Sequence, residues 1–188
     1  MWNIVIRDTE YTTWKGCHET FRDPSKNQWR EIVQAGFVRL DADTLEERES
    51  RLRYITPRQN PTLSEYFIWL TWISQEIVDE KWISFATFDR ECREWIGDDP
   101  ILSFGGDYLI YAENCGYDRI PCMFTAEQCF DVRGLFGKIA YSMSSGTIHQ
   151  HYGLEDQEIE HDALWDAKNI ARTLRHIQAD VKSFVYTA

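Results

Sequence analysis

Long apolar runs are missing from this chain of 188 residues. No stretch approaches the roughly 18 consecutive apolar residues that a membrane-spanning helix needs. The opening MWNIVIRDTEY also lacks the basic start and extended apolar core of a secretory signal, so a cytoplasmic protein with no membrane partner is the expectation. Paired cysteines are missing as well. The five thiols, at positions 17, 92, 115, 122 and 129, are odd in number and show no CxxC spacing. This argues against a disulfide framework and a structural zinc site, and leaves reduced, mostly buried cysteines. Positive charge is in short supply: 20 Lys and Arg stand against 31 Asp and Glu, a net charge of −11. That balance argues against a protein that grips long duplexes through many phosphates, while leaving room for short, local nucleic-acid contacts and for acids that serve a metal. No repeat, low-complexity tract or linker interrupts the chain, and 43% hydrophobic content suffices for one buried core, so a single domain over 1–188 is expected.

What is present reads as alternating elements. In MWNIVIRDTEYTTW, Ile4 and Ile6 alternate with Asn3, Val5 and Arg7, the period of a strand. WREIVQAGFVRL (29–40) and RESRLRYITP (48–57) read as two more strands, the first rich in β-formers, with TLEERES (44–50) as a charged hairpin turn and Pro57 and Pro61 closing the sheet region. TLSEYFIWLTWISQEIVDE (62–80) reads as one helix capped by Thr62 or Ser64, and FATFDRECREWIG (85–97) as another that Gly97 ends. PILSF is a short buried strand, DYLIYAENCG a helix, EQCFDV the last strand, and 161–177 the closing helix. Irregular connections around one short helix are expected between Gly137 and Glu160. Three strands followed by alternating helices and strands predict an α/β fold with a mixed central sheet flanked by helices.

Two stretches carry the chemistry. Side chains alternate along a strand, so Ile4, Ile6, Asp8 and Glu10 share one face, and the two carboxylates sit side by side where the strand ends. Like charges so close repel unless a cation lies between them, and hard oxygen ligands suit Mg²⁺ or Mn²⁺. A plain polar turn, RDTE, is the alternative. The second stretch is HDALWDAKNIARTLRHI, where Ala163, Leu164, Ala167, Ile170, Ala171, Leu174 and Ile177 recur at spacings of three and four. Asp166 sits on the edge of that apolar face, where an uncompensated charge is costly, and His161 stands about one turn upstream. A third site, Asp107, follows a strand and the Gly105–Gly106 pair, which lets the backbone approach closely. One shared metal centre explains these acids together.

These residues resemble a known family. DTEYTTW is similar to the first motif (DxExT), SFGGDY to the second and HDALWDA to the third (HxAxxDA) of the DEDDh 3′–5′ exonucleases, the RNase T and DnaQ-like group with a ribonuclease-H-like fold. EIVQAGFV and ITPRQNPTLSEYFIWLTWISQEIVDE look like its Eri-type, KapD-like branch, and the likeness spans roughly residues 3 to 178. The resemblance implies one DEDDh exonuclease domain in which Asp8, Glu10 and Asp166, with Asp107, hold two divalent metal ions, Mg²⁺ or Mn²⁺. His161 is then the general base. It also implies that Tyr11, Thr12, Thr13 and Trp14 cradle the terminal nucleotide and that Leu70 and Trp72 form the opposite wall. Two departures stand out. The family's second motif usually has a tryptophan and one more residue before its aspartate, and Trp72 replaces the glycine of the family's LTGI.

The implied activity is a metal-dependent 3′–5′ exonuclease on single-stranded ends, RNA before DNA, releasing 5′-mononucleotides. A regulatory protein that binds a partner through this fold, and a proofreading-type DNA exonuclease, are the alternatives. A homodimer is compatible with the sequence. His149 and His151, in HQH, read as solvated loop residues rather than a metal pair, and Arg133, Lys138, Lys15 and Arg58 as candidate phosphate contacts with no individual assignment.

Overall fold

The computed structural model describes residues 2–17, 26, 28–81, 83–155 and 161–187. Strands β1 (Asn3–Tyr11), β2 (Ile32–Asp41) and β3 (Glu47–Tyr54) form an antiparallel meander. Two short strands, β4 (Ile101–Ser103) and β5 (Cys129–Asp131), extend it in parallel with β1, in the order β3-β2-β1-β4-β5. The mixed sheet expected from the sequence is therefore present, and β1 lies at its centre.

The alternation of β1 divides the core. Ile4 and Ile6 point to the face covered by helix α7 (Ala163–His176), where they pack with Val38, Leu40, Ala167, Ile170 and Leu174. Val5 points the other way, into a layer with Phe37, Phe88, Ile110 and Tyr111 built by α3 (Phe85–Ile96) and α4 (Asp107–Asp118). Helices on both faces bury β1 along most of its length, so its polar end emerges at the rim of the sheet rather than on an open face.

The helix expected over 62–80 is two helices, α1 (Glu65–Thr71) and α2 (Gln75–Lys81). Ser64 caps α1 as expected, its hydroxyl accepting the Phe67 N–H at 3.0 Å. Trp72 then turns left-handed (φ 58°) and ends the helix, and Ser74 accepts the Ile77 N–H to begin the next. Apolar periodicity runs through the break and hides it. Gly97 ends α3 at φ 60°, as expected. Beyond β5 lie α5 (Arg133–Phe136), a 3₁₀ stretch (Gly137–Ser142) and α6 (Ile148–His151). The chain ends in α8 (Val181–Thr187), which sequence reading missed. His149 is also a correction: it is buried on α6 at 2% exposure, while His151 is exposed as expected.

Candidate active site

Asp8 and Glu10 close the buried face of β1, directly beneath the first turns of α7. The helix can lie so near because of Gly36 on β2, the register partner of Asp8. A Cβ on Gly36 would overlap the backbone of Ala163 and Leu164. This close approach seats Asp166, 2% exposed, beside Glu10. His161 precedes α7 in a left-handed conformation (φ 66°), and Asp162 caps the helix by accepting the N–H groups of Leu164 at 3.0 Å and Trp165 at 3.1 Å. Glu10, His161 and Asp166 each offer a ligand atom, all within 4.8 Å of one another.

Asp107 reaches the group from the first turn of α4, just past β4. Thr9, on the opposite side of β1 from Asp8, donates to Asp107 Oδ1 at 2.8 Å and fixes the carboxylate. All five residues line one cavity of about 540 Å³.

The electrostatics follow from crowding. Burial, and then the charges of Asp107, Asp166 and Glu10, hold the Asp8 carboxyl well above the usual carboxylate range. Burial, with Asp166, Asp107 and Asp162, does the same to Glu10. Asp107 is pushed up to about 6, chiefly by burial, against the opposing pull of Arg7 and the Thr9 hydrogen bond. A cation between these groups would reverse each shift. The donor set is all hard oxygen apart from one imidazole, and Asp107 Oδ2 is buried with no hydrogen-bond donor among the described residues. Among the described residues, the two arginines that line the cavity already face acids outside the cluster: Arg30 pairs with Glu113, and Arg133 pairs with Asp131. The cluster therefore fits a divalent cation on chemical grounds.

Of the other residues singled out in the sequence, Tyr11, Thr13 and Leu70 line the cavity. Thr12, Trp14 and Trp72 do not. The Thr12 hydroxyl serves the scaffold, donating to the Trp29 carbonyl and accepting from the Glu31 N–H at 3.0 Å and Asn60 Nδ2 at 3.2 Å. Trp14 is half-buried, and Trp72 is 71% exposed on the cap of α1. Sequence reasoning passed over Thr9, Gln34, Gly36 and Arg30. The Ser145 hydroxyl lies 3.4 Å from Asp166 Oδ2.

A mixed five-stranded sheet with helices on both faces, and acids gathered at the end of its central strand, is the architecture of ribonuclease-H-like exonuclease domains. No protein-family model matches the chain. Among curated proteins it is 29% identical, over 184 residues, to 3′-5′ exoribonuclease 1 of Mus musculus, and 28% identical to that of Rattus norvegicus. Each alignment covers 90% of this chain and 51% of the relative, so the chain spans about half the length of the curated relatives it matches. Among solved structures, the nuclease domain of 3′hExo, a DEDDh family member bound to rAMP, superposes with a TM-score of 0.75 at 26% identity, covering 94% of this chain and 92% of that one. A 3′-exonuclease described in 3′-end-specific recognition of the histone mRNA stem-loop gives 0.78 at 23% identity, over 94% and 81% of the two chains. In sequence and in fold the chain is similar to DEDDh 3′–5′ exonucleases.

Proposed function

We propose that the protein is a divalent-metal-dependent 3′–5′ exonuclease that removes 5′-mononucleotides from single-stranded RNA, with DNA as a second substrate. The observation that carries this reading is the convergence of Asp8, Glu10, Asp107, His161 and Asp166, drawn from three separate elements and the segment before α7, in one cavity. Asp8, Glu10 and Asp166, with Asp107, are the residues that would hold the metal. Two Mg²⁺ or Mn²⁺ ions would roughly balance four carboxylates and supply Lewis-acid stabilisation of the charge that develops on the attacking and leaving oxygens.

The remaining steps belong to the chain. The His161 imidazole accepts a proton from the attacking water, chemistry that histidine performs at neutral pH. Tyr11, Thr13 and Leu70 bound the space for the terminal nucleotide, and stacking of its base on the Tyr11 ring contributes about 1–3 kcal/mol. Arg30 and Arg133, already oriented by their acids, face the phosphates. Trp14, Thr12 and Trp72 act outside the cavity, as support or as contacts to more distant nucleotides. The five free thiols accord with a reducing, cytoplasmic setting.

The test is a time course with 5′-end-labelled RNA and DNA of one sequence, in Mg²⁺, with Asp8→Ala as the blank. A ladder shortening from the 3′ end in the wild type alone is the expected result. Intact label with both proteins, in Mn²⁺ as well, would favour the regulatory reading.

A further inference from the structure

The side chain of Gln34 is fully buried in β2, opposite Glu10 in the β1–β2 register and two residues from Gly36. Side chains of paired residues lie on the same face of a sheet, so Gln34 points toward the start of α7. Both ends of its amide are used there. Its Oε1 accepts the Ala163 N–H at 2.8 Å, and its Nε2 donates to Asp162 Oδ2 at 3.0 Å. Asp162 Oδ1 meanwhile caps α7. One amide thus holds both residues that follow His161 and ties the capping carboxylate to the strand that pairs with the metal-ligand strand.

We propose that Gln34 is a positioning residue for the site: its two-point clamp on Asp162 and Ala163 sets where His161 and Asp166 stand relative to Asp8 and Glu10. This rests on the exonuclease reading above. The need for such a clamp is visible in the backbone. His161 has φ 66°, a conformation that a residue other than glycine adopts at a cost, and such a residue keeps it only where its surroundings hold it. Gly36 allows α7 to come close but does not fix its rotation or its position along the strand. Directional hydrogen bonds do both. The clamp is specific in polarity, because a carboxylate at 162 requires a donor at 34. Catalysis by a base and an acid borne on one segment is sensitive to displacements of about 1 Å, which can cost about 100-fold in rate.

The experiment exchanges that polarity. Gln34→Glu sets a carboxylate against Asp162, and Asp162→Asn sets one amide donor against another. The double variant Q34E/D162N restores an acceptor at 34 facing a donor at 162, and keeps both the cap and the Ala163 bond. Three readouts are taken for each: kcat and KM on single-stranded RNA, the unfolding midpoint, and the rise in that midpoint on adding Mn²⁺. The expected result is a fall in kcat of roughly 10- to 100-fold in each single variant, with KM within about threefold of wild type. The Mn²⁺-induced rise should shrink in both. The double variant should recover kcat to within about fivefold of wild type and recover the Mn²⁺ response.

Single variants with wild-type kcat and Mn²⁺ response, or a double variant no better than the worse single, would overturn the clamp. A fall in the unfolding midpoint unaccompanied by any change in kcat or Mn²⁺ response would also overturn it, because that is the mark of a structural role alone. A wild type that does not cut RNA would refute the exonuclease reading instead, and the Mn²⁺ response across the four proteins would still decide the clamp.

Discussion

Asp8, Glu10 and Asp107 are each held above the ordinary carboxylate range, which ties the charge state of the site to stability. A raised carboxyl binds its proton more readily in the folded chain than in the unfolded one. The stability it contributes is therefore complete below the unfolded value, near 4, and is lost as pH rises through the folded value, about 6 for Asp107. The metal-free protein should thus show a falling contribution from the site across that window, and Mg²⁺ should raise the unfolding midpoint more at about pH 7.5 than at about pH 5. An equal rise at both pH values would contradict this. The same repulsion predicts that Asp8→Asn stabilises the metal-free protein at neutral pH by on the order of 1 kcal/mol while abolishing cleavage. Chemical denaturation and the labelled-RNA assay check the two halves. The ordinary rule that active-site residues carry a stability cost is legible here in the sequence itself: strand alternation alone places Asp8 and Glu10 side by side, and helical spacing alone leaves Asp166 on an apolar edge.

At the scale of elements, the close approach of α7 to β2 holds the site together. Gly36→Ala should force the two backbones apart, destabilise the fold by about 1–3 kcal/mol and lower kcat, both measurable on one preparation. Unchanged stability would mean that α7 does not lie as described. Trp72→Gly should act in the opposite direction. The left-handed cap of α1 favours glycine, and relieving it should stabilise the protein by roughly 1 kcal/mol in a thermal or urea melt. Sequence patterns reached the strands and the helices α3, α4 and α7, because each has one dominant period and a recognisable end. They did not reach the break at Trp72, since the apolar spacing of residues 62–80 continues across it and tryptophan gives no turn signal. Nor could they assign Gly36 and Gln34, whose value appears only once the β1–β2 register is known. The second-motif acid shows the opposite balance. Despite one residue fewer before it than in the family pattern, Asp107 lies in the cavity with the others, because Gly105, at φ 94°, turns the chain there into α4.

At the scale of the whole molecule, a chain of net charge −11 has little general attraction for nucleic acid. Among the described residues, Arg30 and Arg133 are the two arginines that line the cavity. Binding through two phosphates gives a slope of about −1.4 for log affinity against log salt on a single strand, far shallower than for a protein that follows a duplex. Fluorescence anisotropy of the inactive Asp8→Asn variant with labelled single-stranded RNA over a KCl series measures it, and a slope steeper than about −4 would show a basic track elsewhere on the surface. The fold as a whole gathers four carboxylates in one cavity, with Arg7 pulling against the upward shift of Asp107, and a cation is what would balance the cluster. Calorimetric titration of Mn²⁺ into the metal-free wild type, beside Asp166→Asn, tests that claim most directly. Binding by the wild type that weakens by at least about tenfold in the variant is the predicted result. A folded wild type that binds no Mn²⁺, or a variant that binds it equally well, would contradict it.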